Sequence, residues 1–165
     1  MALSSGRNTR SLGLWKSMMA QPVEAATTIY VGGLVMVDKN GLCVPGQRIA
    51  GSPLDVLKVL GICDGLYLGF PGQNVVNQTS ALIPGGQLAA GAAGAISCQI
   101  VTGTFLLDIG GSSITQADIG ALCYAEDDHT VYDTPDTVAR PVCGTIVGLE
   151  GGMVWVDLTK QSAIG

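Results

Sequence analysis

The chain is short of charge: only 13% of its 165 residues are Asp, Glu, Lys or Arg, about half the usual fraction. A lone soluble domain carries more charge to stay dispersed, so so neutral a surface predicts self-association or cover by partners. Aromatic residues make up 5%, and His129 is the single histidine. No Gly-rich loop ending in Lys-Ser/Thr follows a strand, and neither a GxSxG elbow nor an HExxH helix is present. The common nucleotide-binding, hydrolase and zinc-protease patterns are therefore missing. Five cysteines (Cys43, Cys63, Cys98, Cys123 and Cys143) form no CxxC pair. Most sit among apolar neighbours, which argues against zinc or a disulfide framework and for small core residues in a reducing cytoplasm. No apolar run approaches the roughly 20 residues that span a bilayer, and Lys16 interrupts the short N-terminal run that imitates a signal peptide.

What is abundant is glycine, 24 residues, within a composition that is 47% hydrophobic. The formal charge is −5 and the pI about 4.5, which argues against a nucleic-acid-binding face. Charge is also unevenly placed. Arg7, Arg10 and Lys16 lie near the start, whereas between Lys58 and Arg140 there is no Lys or Arg and there are eight carboxylates. A basic arm on an acidic body suggests docking.

Residues 1–27 read as that arm, a mixture of Ser, Gly, Asn and Arg with isolated Leu12, Leu14, Trp15 and Met18. The arm either docks on a partner or folds back on its own domain. Trp15 discriminates, because an indole needs burial from one or the other. Residues 28–165 form the β-rich body, with short apolar runs separated by Gly, Pro and Asn. Strands are predicted over Thr28–Val31, Leu34–Val37, Val59–Ile62, Ile96–Val101, Thr104–Leu107, Ala121–Ala125, Thr130–Tyr132, Val142–Val147 and Met153–Leu158. Asp38-Lys39-Asn40-Gly41 marks a turn and Glu150-Gly151-Gly152 a hairpin. The Gly/Pro/Ala-rich stretch 68–94 reads as extended loops. The fold class is thus all-β: a small barrel or sandwich with an extended N-terminal arm and Gly/Ala-rich loops.

One internal echo stands out. Val59-Leu60-Gly61-Ile62-Cys63-Asp64-Gly65-Leu66 aligns with Val142-Cys143-Gly144-Thr145-Ile146-Val147-Gly148-Leu149 at Val, both Gly and Leu, and a Gly-started apolar strand, Gly33–Asp38 or Gly120–Tyr124, precedes each. Either this is coincidence in a Gly/Val-rich chain, or two similar β-units pack together.

Ala125-Glu126-Asp127-Asp128-His129-Thr130 is the one segment with the residue types for metal binding or proton transfer. Neighbours alternate in direction along a strand, and the aspartates lack calcium-loop spacing. A solvated acidic turn is therefore expected, with no catalytic, cofactor or metal residue.

The C-terminal half carries text that resembles a family: Ile114-Thr115-Gln116-Ala117-Asp118-Ile119-Gly120, Cys123-Tyr124-Ala125-Glu126-Asp127-Asp128-His129-Thr130-Val131, Arg140-Pro141-Val142-Cys143-Gly144-Thr145-Ile146 and Gly152-Met153-Val154-Trp155-Val156. It is similar to the capsid decoration, or cement, proteins of tailed bacteriophages, and Thr28-Ile29-Tyr30-Val31-Gly32-Gly33-Leu34-Val35 resembles their opening strands. The resemblance implies a non-enzymatic virion protein on the outer capsid surface, commonly a homotrimer, assembled in the host cytoplasm. Its partner would be the major capsid protein, with no nucleic acid, membrane or cofactor. Arg7, Arg10, Leu12, Leu14, Trp15, Lys16 and Met18 are the expected contact residues. A head-fibre or tail-tube component and, more remotely, a small β-barrel enzyme are the alternatives.

Overall fold

The computed structural model describes residues 2, 3, 6, 7, 9–12, 17–49, 57–68, 93, 94, 96–111, 113–136 and 139–159. The protein is all-β: ten strands in two groups of five, with a 3-10 turn at Gln116–Asp118 as the helical element among these residues. The strands are β1 Ser17–Pro22, β2 Leu34–Val37, β3 Cys43–Pro45, β4 Lys58–Leu68, β5 Ile96–Thr102, β6 Thr104–Ile109, β7 Leu122–Ala125, β8 Thr130–Tyr132, β9 Val142–Glu150 and β10 Met153–Asp157. The first group has the order β1-β5-β4-β2-β3, and the second closes into a barrel, β10-β6-β8-β7-β9.

These two groups are one unit built twice. In each, the second strand pairs with the third and the fourth, and the fifth pairs with the fourth and the first, all antiparallel. The end of the first strand then meets the third in parallel, as Ile109↔Val131 in the barrel and as the single bridge Val23↔Cys43 in the first unit. Registers agree residue for residue. Val35↔Gly61 followed by Met36↔Val59 matches Cys123↔Gly144 followed by Tyr124↔Val142, with a bulge at the same step. A second shared irregularity falls where Asp64 and Val147 are skipped, opposite β5 and β10. Before each second strand, Gly32 and Gly120 adopt φ of +85° and +93°, and each donates its N–H at 2.8 Å, to the carbonyls of Cys63 and Ile146. The echo between Val59–Leu66 and Val142–Leu149 is therefore structural: both segments are the fourth strand of a unit.

Duplication extends to the core. Val23, Val35, Cys43, Cys63, Cys98 and Ile100 line the inside of the first unit and are buried together. Their register partners in the second unit are Ile109, Cys123, Val131, Ile146, Val154 and Val156. Alternate residues of the first unit, including Leu34, Met36, Val59, Ile62 and Val101, face outward and are buried against the second unit. Strand alternation thus gives the first unit two apolar faces and makes one folding domain of both. All five cysteines are free and buried. Burial pushes the Cys43 thiol up to about 12, so it persists as an inert, protonated core group.

Most predicted strands are present, and three corrections follow. Thr28–Val31 is not a strand; the chain turns there, with Gly33 N–H bonded to the Tyr30 carbonyl at 3.1 Å. Ser17–Pro22, assigned to the arm, is the first strand of the first unit. Cys43–Pro45 is an additional short strand that completes the turn at residues 38–41 as a hairpin. The C-terminal hairpin is as expected: Glu150 pairs with Met153, and Gly151 and Gly152 both take positive φ, as a two-residue turn requires. The Gly/Ala-rich stretch lies, over residues 69–92, outside the described residues.

Candidate functional site

Arg7 and Arg10 of the N-terminal segment meet the body's own carboxylates. Residues 10–12 add a short antiparallel strand to β6: Leu106 donates its N–H to the Arg10 carbonyl at 2.9 Å, and Leu12 donates to the Thr104 carbonyl at 3.1 Å. Further out, the Arg7 N–H bonds the Val31 carbonyl at 2.7 Å, and a Cβ at Gly32 would overlap the Arg7 carbonyl. Gly32 thus serves twice, supplying the positive φ and the clearance under the arm.

Side chains reinforce this seat. The Arg7 guanidinium reaches both carboxylate oxygens of Asp108, at 3.3 and 3.4 Å. Arg10 pairs with Glu150 and lies 5.6 Å over the Trp155 ring, whose Nε1–H bonds the other Glu150 oxygen at 3.1 Å. These two donors, Arg10 first, hold the Glu150 carboxyl below its ordinary pKa. Arg7 and Arg10, two of the expected contact residues, are engaged by Asp108 and Glu150 of their own chain. Leu12 stands open, 54% exposed. Met18 belongs to β1. Leu14, Trp15 and Lys16 lie outside the described residues.

The acidic turn departs from expectation in another way. Instead of being solvated, Asp127 and Asp128 are buried, 8% and 3% exposed. Asp127 Oδ1 accepts the N–H groups of His129 at 3.1 Å and Thr130 at 2.8 Å, closing the β7–β8 hairpin. Burial opposes its ionisation, yet these bonds and the nearby imidazole hold its pKa below the ordinary value. Asp128 Oδ1 accepts the Leu3 N–H at 2.8 Å and lies 3.0 Å from His129 Nδ1. His129 Nε2 is 3.8 Å from Asp108, the carboxylate that takes Arg7. One ligand atom from each of Asp127, Asp128 and His129 falls within 4.8 Å of the others. Asp127 Oδ1 and Asp128 Oδ1 receive backbone donors, so the cluster stitches the hairpin and the arm to the body.

Asp127→Asn is expected to cost about 1–2 kcal/mol, because an ionised acceptor of two buried N–H groups is lost. The native pKa of Asp127 lies below its unfolded value. Its contribution is therefore present above the unfolded pKa, near 4, and is lost as pH falls through the native one. Urea melts from pH 7 to pH 3 check this. The stability gap between wild type and Asp127→Asn should narrow on acidification, and a gap that widens contradicts the assignment.

Sequence reasoning missed Asp108, Glu150 and Trp155 as the seat of the arm, since each lies far along the chain from its partner and no local pattern links them. No protein-family model, curated protein or solved structure matches this chain.

Proposed function

We propose that the protein is a non-enzymatic structural component of a tailed-bacteriophage particle. It binds the outside of the assembled capsid, self-associates, with three copies as the number the resemblance implies, and clamps neighbouring major capsid protein subunits. The observation that carries this reading is the set of four motif segments between Ile114 and Val156, which fall within one β-unit and resemble capsid decoration proteins. In support, the motif residues have scaffold work: Asp118 accepts the Thr115 N–H at 2.7 Å, Asp127 closes a hairpin, and Trp155, bonded to Glu150, helps seat the arm. The low charge and the exposed Leu12, Ile119 and Val147 suit a surface that is covered in assembly. Many small contacts repeated over a shell relax the roughly 1,000 Å² that a single stable interface needs.

Co-sedimentation with undecorated capsids tests the reading. The protein is expected to pellet with shells and to saturate at a fixed ratio to the capsid protein. Trp15→Ala is expected to weaken binding by about 2 kcal/mol, the range of an interface anchor, with little change in melting temperature. Failure to pellet with any capsid sinks the proposal. A large fall in melting temperature for Trp15→Ala would instead place Trp15 in the protein's own core.

A further inference from the structure

The duplication makes one edge of the molecule readable from another. In the second unit, the first half of β6 has a free side away from β10, and residues 10–12 cover it through the Thr104 carbonyl and the Leu106 N–H. By register, the corresponding groups in the first unit are the Met18 carbonyl and the Ala20 N–H on β1. The direction of these groups has an independent check. Val23 donates to Ile96, toward β5, and Glu24 donates the opposite way, to Cys43. Alternation along the strand therefore turns Met18 and Ala20 away from β5. Among the described residues, no strand lies on that side of Met18–Ala20.

Charge selects the occupant. Arg10 on the covered edge is met by Trp155 and Glu150; the corresponding positions in the first unit are Gln99 and Tyr67. A basic arm would thus lack its counter-ion there, and an uncharged strand fits. Natural edge strands are guarded by charge, especially Lys, but Ser17-Met18-Met19-Ala20-Gln21-Pro22 carries none. We propose that β1 is a self-association surface, on which the β1 strand of a second copy of this chain pairs antiparallel about a two-fold axis. This deepens the self-association included in the proposed function and uses no capsid contact.

The test measures mass by light scattering, without capsids, from micromolar to near-millimolar concentration. The full chain is expected to form particles of two copies, or of six where trimers also join through β1. Ala20→Pro removes the outward N–H at an edge position where proline is tolerated, and is expected to halve that mass while keeping the melting temperature. Amide exchange in the unmodified chain provides the second readout. The Ala20 N–H should be protected in the associated form and lose protection on dilution. A mass of one or three copies, an unchanged mass in Ala20→Pro, or an Ala20 amide indifferent to concentration overturns the proposal. Capsid co-sedimentation is measured apart, so either reading can fail alone.

Discussion

Deleting residues 1–12 is expected to leave a folded protein, whereas deleting residues 1–22 is expected to abolish cooperative folding. The shorter deletion loses the Leu3 N–H bond to Asp128, the backbone bonds of Arg7, Arg10 and Leu12, and the pairs Arg7–Asp108 and Arg10–Glu150. Surface ion pairs contribute up to about 1 kcal/mol each and hydrogen bonds about 1 kcal/mol. The loss, about 4–6 kcal/mol, is survivable for a domain in the middle of the ordinary range of stability, about 5–15 kcal/mol. The longer deletion removes β1, which pairs with β5 over six residues and carries the chain to the Val23–Cys43 closure. Cys98 and Ile100 would then lose their cover on the inner side. The same sheet buries Leu34, Met36 and Val101 against the second unit, so damage would spread. Circular dichroism melts of the two truncations decide the matter. A cooperative transition for the 1–22 deletion, within a few degrees of the full chain, would disprove the role assigned to β1 and restore the view of residues 1–27 as a separable arm.

Gly61→Ala and Gly144→Ala are expected to destabilise by similar, large amounts, about 2–3 kcal/mol each, as overpacking against backbone does. A Cβ at Gly61 would overlap the Val101 carbonyl oxygen and stand 2.9 Å from Ile100 Cγ2. At Gly144 it would overlap the Asp157 carbonyl oxygen and stand 2.8 Å from Val156 Cγ1. The partners are register equivalents, so the two substitutions ask the same question of each unit. Gly148→Ala is the control, because its Cβ would approach no closer than 3.8 Å to Trp155 Cδ1. Denaturant unfolding of the three variants checks this. Near-neutral behaviour at Gly61 beside a large loss at Gly144 would mean that the first unit tolerates an opening that the closed barrel does not.

The strands legible in the sequence were those whose own residues favour extension and whose ends are marked. Ile96–Thr102, Thr104–Ile109, Val142–Glu150 and Met153–Asp157 are rich in Val, Ile, Leu and Thr, and Gly103 and Gly151-Gly152 separate them. β1 was illegible because Ser-Met-Met-Ala-Gln-Pro has no β-branched residue; its strand character comes from β5 alongside it, a tertiary cause. Thr28–Val31 failed in the opposite sense. Thr, Ile, Tyr and Val favour extension, but Gly32 turns the chain under the arm. The hairpin at Asp127–Asp128 was recognisable from its polarity, and its burial was not. That burial comes from the other unit, where Gly46 packs so closely that a Cβ would stand 2.8 Å from Asp128 Cα. Likewise, four matching residues hinted at duplication, but its extent rests on bulges and registers that different side chains reproduce. Of the expected contact residues, Arg7 and Arg10 were noticed for their positive charge, and the structure sets that charge against Asp108 and Glu150 of the same chain.

Pairing of the first strand with the fifth, in both units, has a kinetic consequence. During synthesis β1 emerges early, yet its partner β5 follows only after the long stretch that contains β2, β3 and β4. At ordinary translation rates that is a wait of several seconds. β6 waits in the same way for β10, close to the end of the chain. Neither unit can be completed as it is made, so folding is dominated by late, sequence-distant contacts and belongs with the slow β topologies. Through the first wait, the uncharged β1 stands with both edges bare in the nascent chain, where neighbouring nascent copies on one message are its nearest available partners.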